Sequence, residues 1–225
     1  MEKNIKMNYE IKSWFGENIG VIKLDTKSFN HEIKKIILKD VEPNPGRHAK
    51  TTDIEKDKNI IDNLHNDKRF IELFKQVREG LFKYLQEIEY RSDVFDVYYT
   101  KAWATLTTQN QLITPHRHTA SNLSLVYYVQ AEDQGNLTFH KKKDGLYVPS
   151  STDYYVNENI YNRDMITYPS ETGNLIIFPS NLEHYTELNT KNHPRISIGI
   201  DVVLTMKEGF TSEHNLSSPT TWRKL

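Results

Sequence analysis

The stretch LITPHRHTASNLSLVYYVQ, residues 112–130, decides how the chain is expected to fold. It places His116 and His118 two residues apart and then runs into an apolar, aromatic and β-branched segment, which is typical of a buried strand. Because side chains alternate between the two faces of a strand, both histidines leave the same face if the segment is extended. The stretch could therefore present two imidazole nitrogens to one metal ion.

The composition limits the kinds of site that the chain can build. Its 225 residues include 29 Lys and Arg against 30 Asp and Glu, so no global charge favours nucleic acid or an anionic membrane as a partner. The absence of cysteine excludes disulfides, thiolate metal sites and a cysteine nucleophile, and leaves His, Asp and Glu as metal ligands. The N-terminus has no apolar core of signal-peptide length, and no run approaches the roughly 20 apolar residues that span a bilayer. We expect a cytoplasmic protein with no membrane association.

The order of the elements predicts an α+β domain. Residues 31–39 and 67–89 have apolar side chains at helical spacing, and Asn30 is a candidate cap for the first helix. From residue 94 the periodicity becomes that of short strands, among them those predicted at 94–99, 102–107, 123–129, 137–139, 173–179 and 195–203. Helices followed by seven or eight strands indicate a β barrel or sandwich with the helices on its outside. We expect one domain over 1–225, with a mainly helical part at 1–90, a β core at 94–204 and a C-terminal tail at 205–225.

A second group of polar residues strengthens the metal hypothesis. His184 follows one apolar strand, and Arg195 and Ser197 alternate with isoleucines at the start of the next. An arginine on the inner face of a buried strand is costly unless it meets an anion. That anion is either a core carboxylate, such as Asp96 or Asp201, or the carboxylate of a small organic acid held by the guanidinium and the Ser197 hydroxyl.

The order of motifs resembles that of a known family. The motifs are HxH, SxxYYV, GxLxF, GxLxxFPSxxxH and RISI, and they cover about residues 101–203. This order is similar to that of the 2-oxoglutarate/Fe(II)-dependent oxygenases of bacteria and phages. The resemblance implies a double-stranded β-helix, a jelly-roll or cupin-like barrel with iron at one open end. It also implies a dioxygenase that uses Fe(II), 2-oxoglutarate and O2 and hydroxylates an unidentified substrate, with release of succinate and CO2.

Carried over residue by residue, the resemblance implies that His116 and His184 are iron ligands and that Arg195 and Ser197 hold the distal carboxylate of 2-oxoglutarate. The third ligand departs from the superfamily pattern, because His118 stands where a carboxylate is usual. A neutral third ligand leaves the iron site one charge more positive than a site of two histidines and one carboxylate. Three interpretations of His118 remain open: it binds iron, it contacts substrate, or it lies beside a ligand. In the last case the carboxylate would come from Glu132, Asp133 or Glu183.

Two further sets of residues are candidates for the site. Tyr127 and Tyr128 follow the histidines, and one of them should face the barrel interior and hydrogen-bond the cosubstrate; otherwise both are core residues. The tyrosine-rich segment 140–170 is expected to cover or select the substrate, because long loops inside compact domains are usually functional. As partners we expect a small-molecule or peptide substrate, and we consider a homodimer. The alternative function is a cupin-like metal-binding protein or three-histidine dioxygenase that does not use 2-oxoglutarate.

Overall fold

The computed structural model describes residues 16–44, 49–53, 55–56, 59–60, 62–140, 156–157, 159 and 163–224. The helices are α1 (Asn30–Asp40) and α2 (Ile71–Glu87), with short 3-10 turns at Leu64–Asn66, Lys68–Phe70 and Pro219–Thr221. The strands are β1 (Gly20–Lys23), β2 (Glu42–Asn44), β3 (Ala49–Thr51), β4 (Glu55–Lys56), β5 (Asn59–Ile60), β6 (Phe95–Thr107), β7 (Leu123–Gln130), β8 (Leu137–His140), β9 (Met165–Tyr168), β10 (Asn174–Pro179), β11 (Glu183–Thr186) and β12 (Arg195–Met206). Of the helices in these described ranges, none is long and apolar enough to cross a membrane.

The strands form one large sheet and two small ones. Seven strands make the larger sheet, in the order β1-β10-β7-β12-β6-β3-β2, and three make a second sheet in the order β11-β8-β9. Strands β4 and β5 pair as a separate ribbon. The strand pairs are antiparallel. Strand β12 lies at the centre of the larger sheet, between β7 and β6, so its residues are held on both sides.

The two faces of the larger sheet meet different neighbours because its strands alternate. The isoleucines of β12 join one buried apolar cluster with the helices α1 and α2. The other face contributes Ile176 and Phe178 to a second cluster with Leu137 and Phe139 of the three-stranded sheet. The predicted alternation of β12 is therefore confirmed, and its inner face looks toward the space between the two sheets.

Helix α2 lies close against the outer face of the larger sheet. Gly80 makes this approach possible, since a Cβ there would lie 3.2 Å from Leu175 Cδ2 and 3.3 Å from Ile22 Cδ1. The helices thus pack on the outside of the sheet, as their apolar stripes predict.

Three details of the sequence prediction are wrong. The Asn30 side chain does not cap α1; its Nδ2 donates to the Val129 carbonyl at 2.6 Å and its Oδ1 accepts from the Tyr127 hydroxyl at 2.8 Å. The strands predicted at 94–99 and 102–107 are one strand, β6, because β12 pairs with it on both sides of a register shift at Thr100. The β core extends to Met206, so strand β12 runs into the segment predicted as a tail.

The tyrosine-rich segment falls largely outside the described residues. Of its tyrosines, Tyr147, Tyr154, Tyr155 and Tyr161 are not described, while Tyr168 lies on β9. Its role as a cover or selector of substrate stays a prediction.

Candidate active site

Three histidines converge between the two sheets. His116 forms an antiparallel bridge with His184 of β11, with both N–H to O=C distances at 3.0 Å. The backbone N–H of His118 donates to the carbonyl of Ser180 at 2.9 Å, which fixes the loop against the end of β10. One ring nitrogen from each histidine lies within 4.8 Å of the other two, so the three form a group that could hold a metal ion.

The Nδ1 atom of each ring lies beside a hydrogen-bond acceptor. The Nδ1 atoms of His116 and His184 lie 2.8 and 2.9 Å from backbone carbonyls two residues earlier in the chain. The Nδ1 of His118 lies 2.5 Å from Oδ1 of Asp201. A proton on each Nδ1 satisfies these acceptors, so each Nε2 is left as an electron-pair donor. Burial, together with the charge of His116, lowers the pKa of His184 to about 3, which keeps that ring neutral as a metal ligand must be.

Arg195 is a buried cation on the same cavity. Its side chain is only 2% exposed, its Nη1 donates to the Ser197 hydroxyl at 3.4 Å, and its Cζ lies 5.0 Å from the centre of the Tyr128 ring. Within the described part of the chain, its Nε has no hydrogen-bond partner and no carboxylate forms an ion pair with it. The core salt bridge to Asp96 or Asp201 is therefore not formed. A guanidinium buried in this way is costly unless an anion binds there.

One cavity connects these groups. Its empty space is about 530 Å³, open mouth included, and it is lined by the three histidines, by Arg195 and Ser197, and by apolar side chains such as Ile113, Leu137 and Phe178. A mostly apolar wall with a few convergent polar groups is typical of a small-molecule site. The metal-capable group and the unpaired cation therefore face a common space.

The two tyrosines of β7 have different places. Tyr128 is fully buried beneath Arg195, and its hydroxyl has no hydrogen-bond partner within the described ranges. Tyr127 lies on the opposite face, in the cluster with the helices, where its hydroxyl donates to Asn30. The prediction that Tyr127 binds the cosubstrate is wrong, because the alternation of the strand turns it toward α1 rather than toward the cavity.

The carboxylates considered as a third ligand lie elsewhere. Glu183 pairs with Arg117 at 3.5 Å and with His140 at 3.2 Å, and Glu132 lies 3.4 Å from His193. Asp133 is exposed at a turn with a positive φ of 53°. None of these three belongs to the metal-capable group found among the described residues.

Sequence reasoning did not place Asp201 and Ser124 beside His118. Ser124 Oγ lies 3.1 Å from both His118 Nδ1 and Asp201 Oδ1, and 2.9 Å from Ser180 Oγ. A signal was present, since Asp201 is six residues after Arg195 on an alternating strand and so shares its inner face. Trp103 completes this wall, with its ring centre 5.6 Å from that of His118.

The comparison with known families agrees with this geometry. Residues 101–201 match the model of the family described as "Putative 2OG-Fe(II) oxygenase". The match includes the three histidines, Arg195 and Ser197, and it confirms the resemblance that the motifs carry. Residues 101–201, which hold the candidate site, are therefore similar to this family. No curated protein matches the chain in sequence.

Solved structures share the fold at low sequence identity. A prolyl-4-hydroxylase from Pseudomonas putida is 11% identical over 83% of this chain and 92% of its own, with a TM-score of 0.53. HygX from Streptomyces hygroscopicus, with nickel, 2-oxoglutarate and hygromycin B bound, is 10% identical over 83% of each chain, with a TM-score of 0.55. The α-ketoglutarate-dependent epimerase SnoN from nogalamycin biosynthesis is 13% identical over 83% of this chain and 76% of its own, with a TM-score of 0.56. The chain spans only 58% of the length of one further structure that it matches.

Proposed function

We propose that the chain is a non-haem Fe(II)- and 2-oxoglutarate-dependent dioxygenase that hydroxylates its substrate and releases succinate and CO2. The observation that carries this proposal is a buried guanidinium on the same cavity as three metal-capable histidines, with no carboxylate partner among the residues that the structure describes. A metal-binding protein alone has no use for that cation, because an unpaired buried charge lowers stability.

The donor set fits Fe(II). Three neutral imidazoles suit iron among the first-row metals, and the cavity beside them leaves room for further ligands. His116, His118 and His184 would hold the metal, each through Nε2. When bound, Fe(II) with 2-oxoglutarate and O2 supplies the oxidative chemistry, and the protein supplies the ligands and a site that excludes water.

Arg195 and Ser197 would hold the distal carboxylate of 2-oxoglutarate. The guanidinium can offer two N–H donors to one carboxylate, and its free Nε and the Ser197 hydroxyl lie on the inner face of β12. Tyr128 supports the guanidinium from below through its ring face. The apolar cavity wall strengthens this charge pair by excluding water.

We further propose that the two facing sheets form a double-stranded β-helix and that 1–225 is a single domain. The antiparallel seven- and three-stranded sheets line one cavity, and HygX, which has 2-oxoglutarate bound, and the α-ketoglutarate-dependent SnoN share the fold. The substrate would be a small molecule or a peptide, since HygX has hygromycin B bound and the protein from Pseudomonas putida is a prolyl-4-hydroxylase. Hydroxylation is the finer part of the proposal, since SnoN is an epimerase.

The test supplies Fe(II), 2-oxoglutarate and O2 to the metal-free protein and measures succinate and CO2. Turnover uncoupled from substrate is expected, and it should be lost when Fe(II) is omitted or when His116→Ala is used. Calorimetry with Ni(II) in place of Fe(II) measures 2-oxoglutarate binding without turnover. Absence of both succinate and 2-oxoglutarate binding in a protein that does bind metal would instead support the three-histidine alternative.

A further inference from the structure

We infer that Asp201 is a positioning residue that supplies the carboxylate of the metal site through His118, an inference that rests on the proposed function. The metal would then meet an imidazole where the superfamily pattern has a carboxylate, with the negative charge placed one hydrogen bond behind it. The inference starts from the contact between His118 Nδ1 and Asp201 Oδ1, at 2.5 Å.

The contact is set in a nearly buried network. The side chains of His118 and Asp201 are 13% and 14% exposed. Ser124 Oγ donates to Asp201 Oδ1 at 3.1 Å and lies 2.9 Å from Ser180 Oγ, which in turn accepts from Ser121. These hydroxyls hold the carboxylate in one orientation, so the direction of the His118 ring is fixed from behind.

His116 and His184 differ from His118 in the acceptor at Nδ1. Their Nδ1 atoms lie at backbone carbonyls, which are neutral acceptors. A carboxylate behind a ligating imidazole makes Nε2 a stronger electron donor than a carbonyl does, and it also fixes the tautomer. Asp201 would therefore offset much of the extra positive charge that a three-histidine site has relative to one with a direct carboxylate.

Strand β12 provides charged side chains at both ends of the site. Arg195, Ser197, Gly199 and Asp201 are alternate residues on its inner face, and Arg195 and Asp201 are about 20 Å apart along an extended strand. Asp201 lies opposite Ser124 on β7 and Lys101 on β6, next to a change of register. One strand thus presents a cation toward the cosubstrate end and an anion behind the metal end.

The charge is tested with Asp201→Asn, whose side-chain oxygen can still accept from Nδ1 of His118. Affinity for Co(II) is measured by competition with a chromophoric chelator, and the visible spectrum of the Co(II) protein reports the ligand field. We expect affinity to fall by about 10- to 100-fold, with a shifted spectrum. Asp96→Asn makes the same change on β6, away from the cavity, and should bind Co(II) as the wild type does.

A double-mutant cycle shows whether the effect passes through His118. In a His118→Asp background the carboxylate meets the metal directly, so Asp201→Asn should then leave affinity unchanged or raise it. An equal loss in both backgrounds would overturn the inference. Ser124→Ala keeps the charge but removes one hydrogen bond to the carboxylate, so a smaller loss of affinity than that of Asp201→Asn is expected.

The remaining outcomes separate this inference from the proposed function. If the wild type binds metal and 2-oxoglutarate while Asp201→Asn and Ser124→Ala bind Co(II) within twofold of it, only the role of Asp201 fails. If the wild type forms no succinate and does not bind 2-oxoglutarate, the proposed function fails, whatever the Co(II) affinities are. Thermal unfolding of the metal-free variants shows whether a loss of affinity reflects a loss of fold.

Discussion

Replacing Arg195 by methionine should weaken the binding of 2-oxoglutarate without lowering the stability of the metal-free protein. The wild-type guanidinium is buried at 2% exposure with an Nε that has no partner, while Tyr128 and Ser197 provide its polar neighbours. Methionine has a similar length without the charge. The variant should keep the fold but no longer bind the carboxylate of 2-oxoglutarate through a charged side chain.

The expected changes in 2-oxoglutarate affinity and in stability follow from the contacts that Arg195 makes with and without cosubstrate. Removing one partner of a buried, hydrogen-bonded charge pair costs about 2 to 5 kcal/mol, which raises the Kd of 2-oxoglutarate by about 30-fold to several thousand-fold. Without cosubstrate no carboxylate in the described ranges pairs with Arg195, so the penalty of about 3 to 5 kcal/mol for breaking a buried ion pair does not apply. The free energy of unfolding of the metal-free variant should equal or exceed that of the wild type.

Calorimetry with Ni(II) and 2-oxoglutarate measures the Kd of 2-oxoglutarate. Urea unfolding of the metal-free protein measures the free energy of unfolding. Arg78→Met is the matched control, because Arg78 lies over the exposed ring of Phe82 on α2. A variant that loses several kcal/mol of stability but, when folded, binds 2-oxoglutarate as the wild type does would refute the reasoning.

Three other perturbations test the environment of the site. Gly199→Ala should lower stability by about 1 to 3 kcal/mol and change the fluorescence of Trp103, because the new Cβ would lie 2.7 Å from its Cζ2; Gly16→Ala, with nothing within 4 Å, is the control. The pKa of His184 is about 3 in the folded metal-free protein and about 6.5 in the unfolded chain. As the pH falls below about 6.5, the unfolded state therefore binds a proton at His184 that the folded state does not. Stability should then drop by about 1.4 kcal/mol per pH unit from this group, a slope that urea unfolding at several pH values would find missing in His184→Asn. Tyr127→Phe should cost about 0.5 to 1.5 kcal/mol of stability in the same assay and leave 2-oxoglutarate affinity unchanged; a large change in that affinity would restore Tyr127 to the site.

Local pattern was sufficient for much of the fold. The spacing of apolar residues predicts α2, and alternation predicts which side of β12 faces the core, because both depend on a period of a few residues. Boundaries were less predictable. The two strands predicted within β6 are one strand, since β12 pairs with residues on both sides of the gap in the pattern and only the register shifts at Thr100. Asn30 resembles a helix cap in sequence, but a partner 97 residues away, Tyr127, engages its side chain.

The sequence by itself determined the chemistry that is available: imidazoles but no thiols, an HxH pair, a distant third histidine, and an arginine that must face inward. These follow from residue identity and strand periodicity. Only the tertiary structure decided which groups meet. It brought His118 to the other two histidines, placed Asp201 behind it, left Arg195 without a carboxylate partner among the described residues, and turned Tyr127 away from the cavity. The physical reason is that register and sheet packing join residues that are far apart in the chain, and no local pattern contains that information.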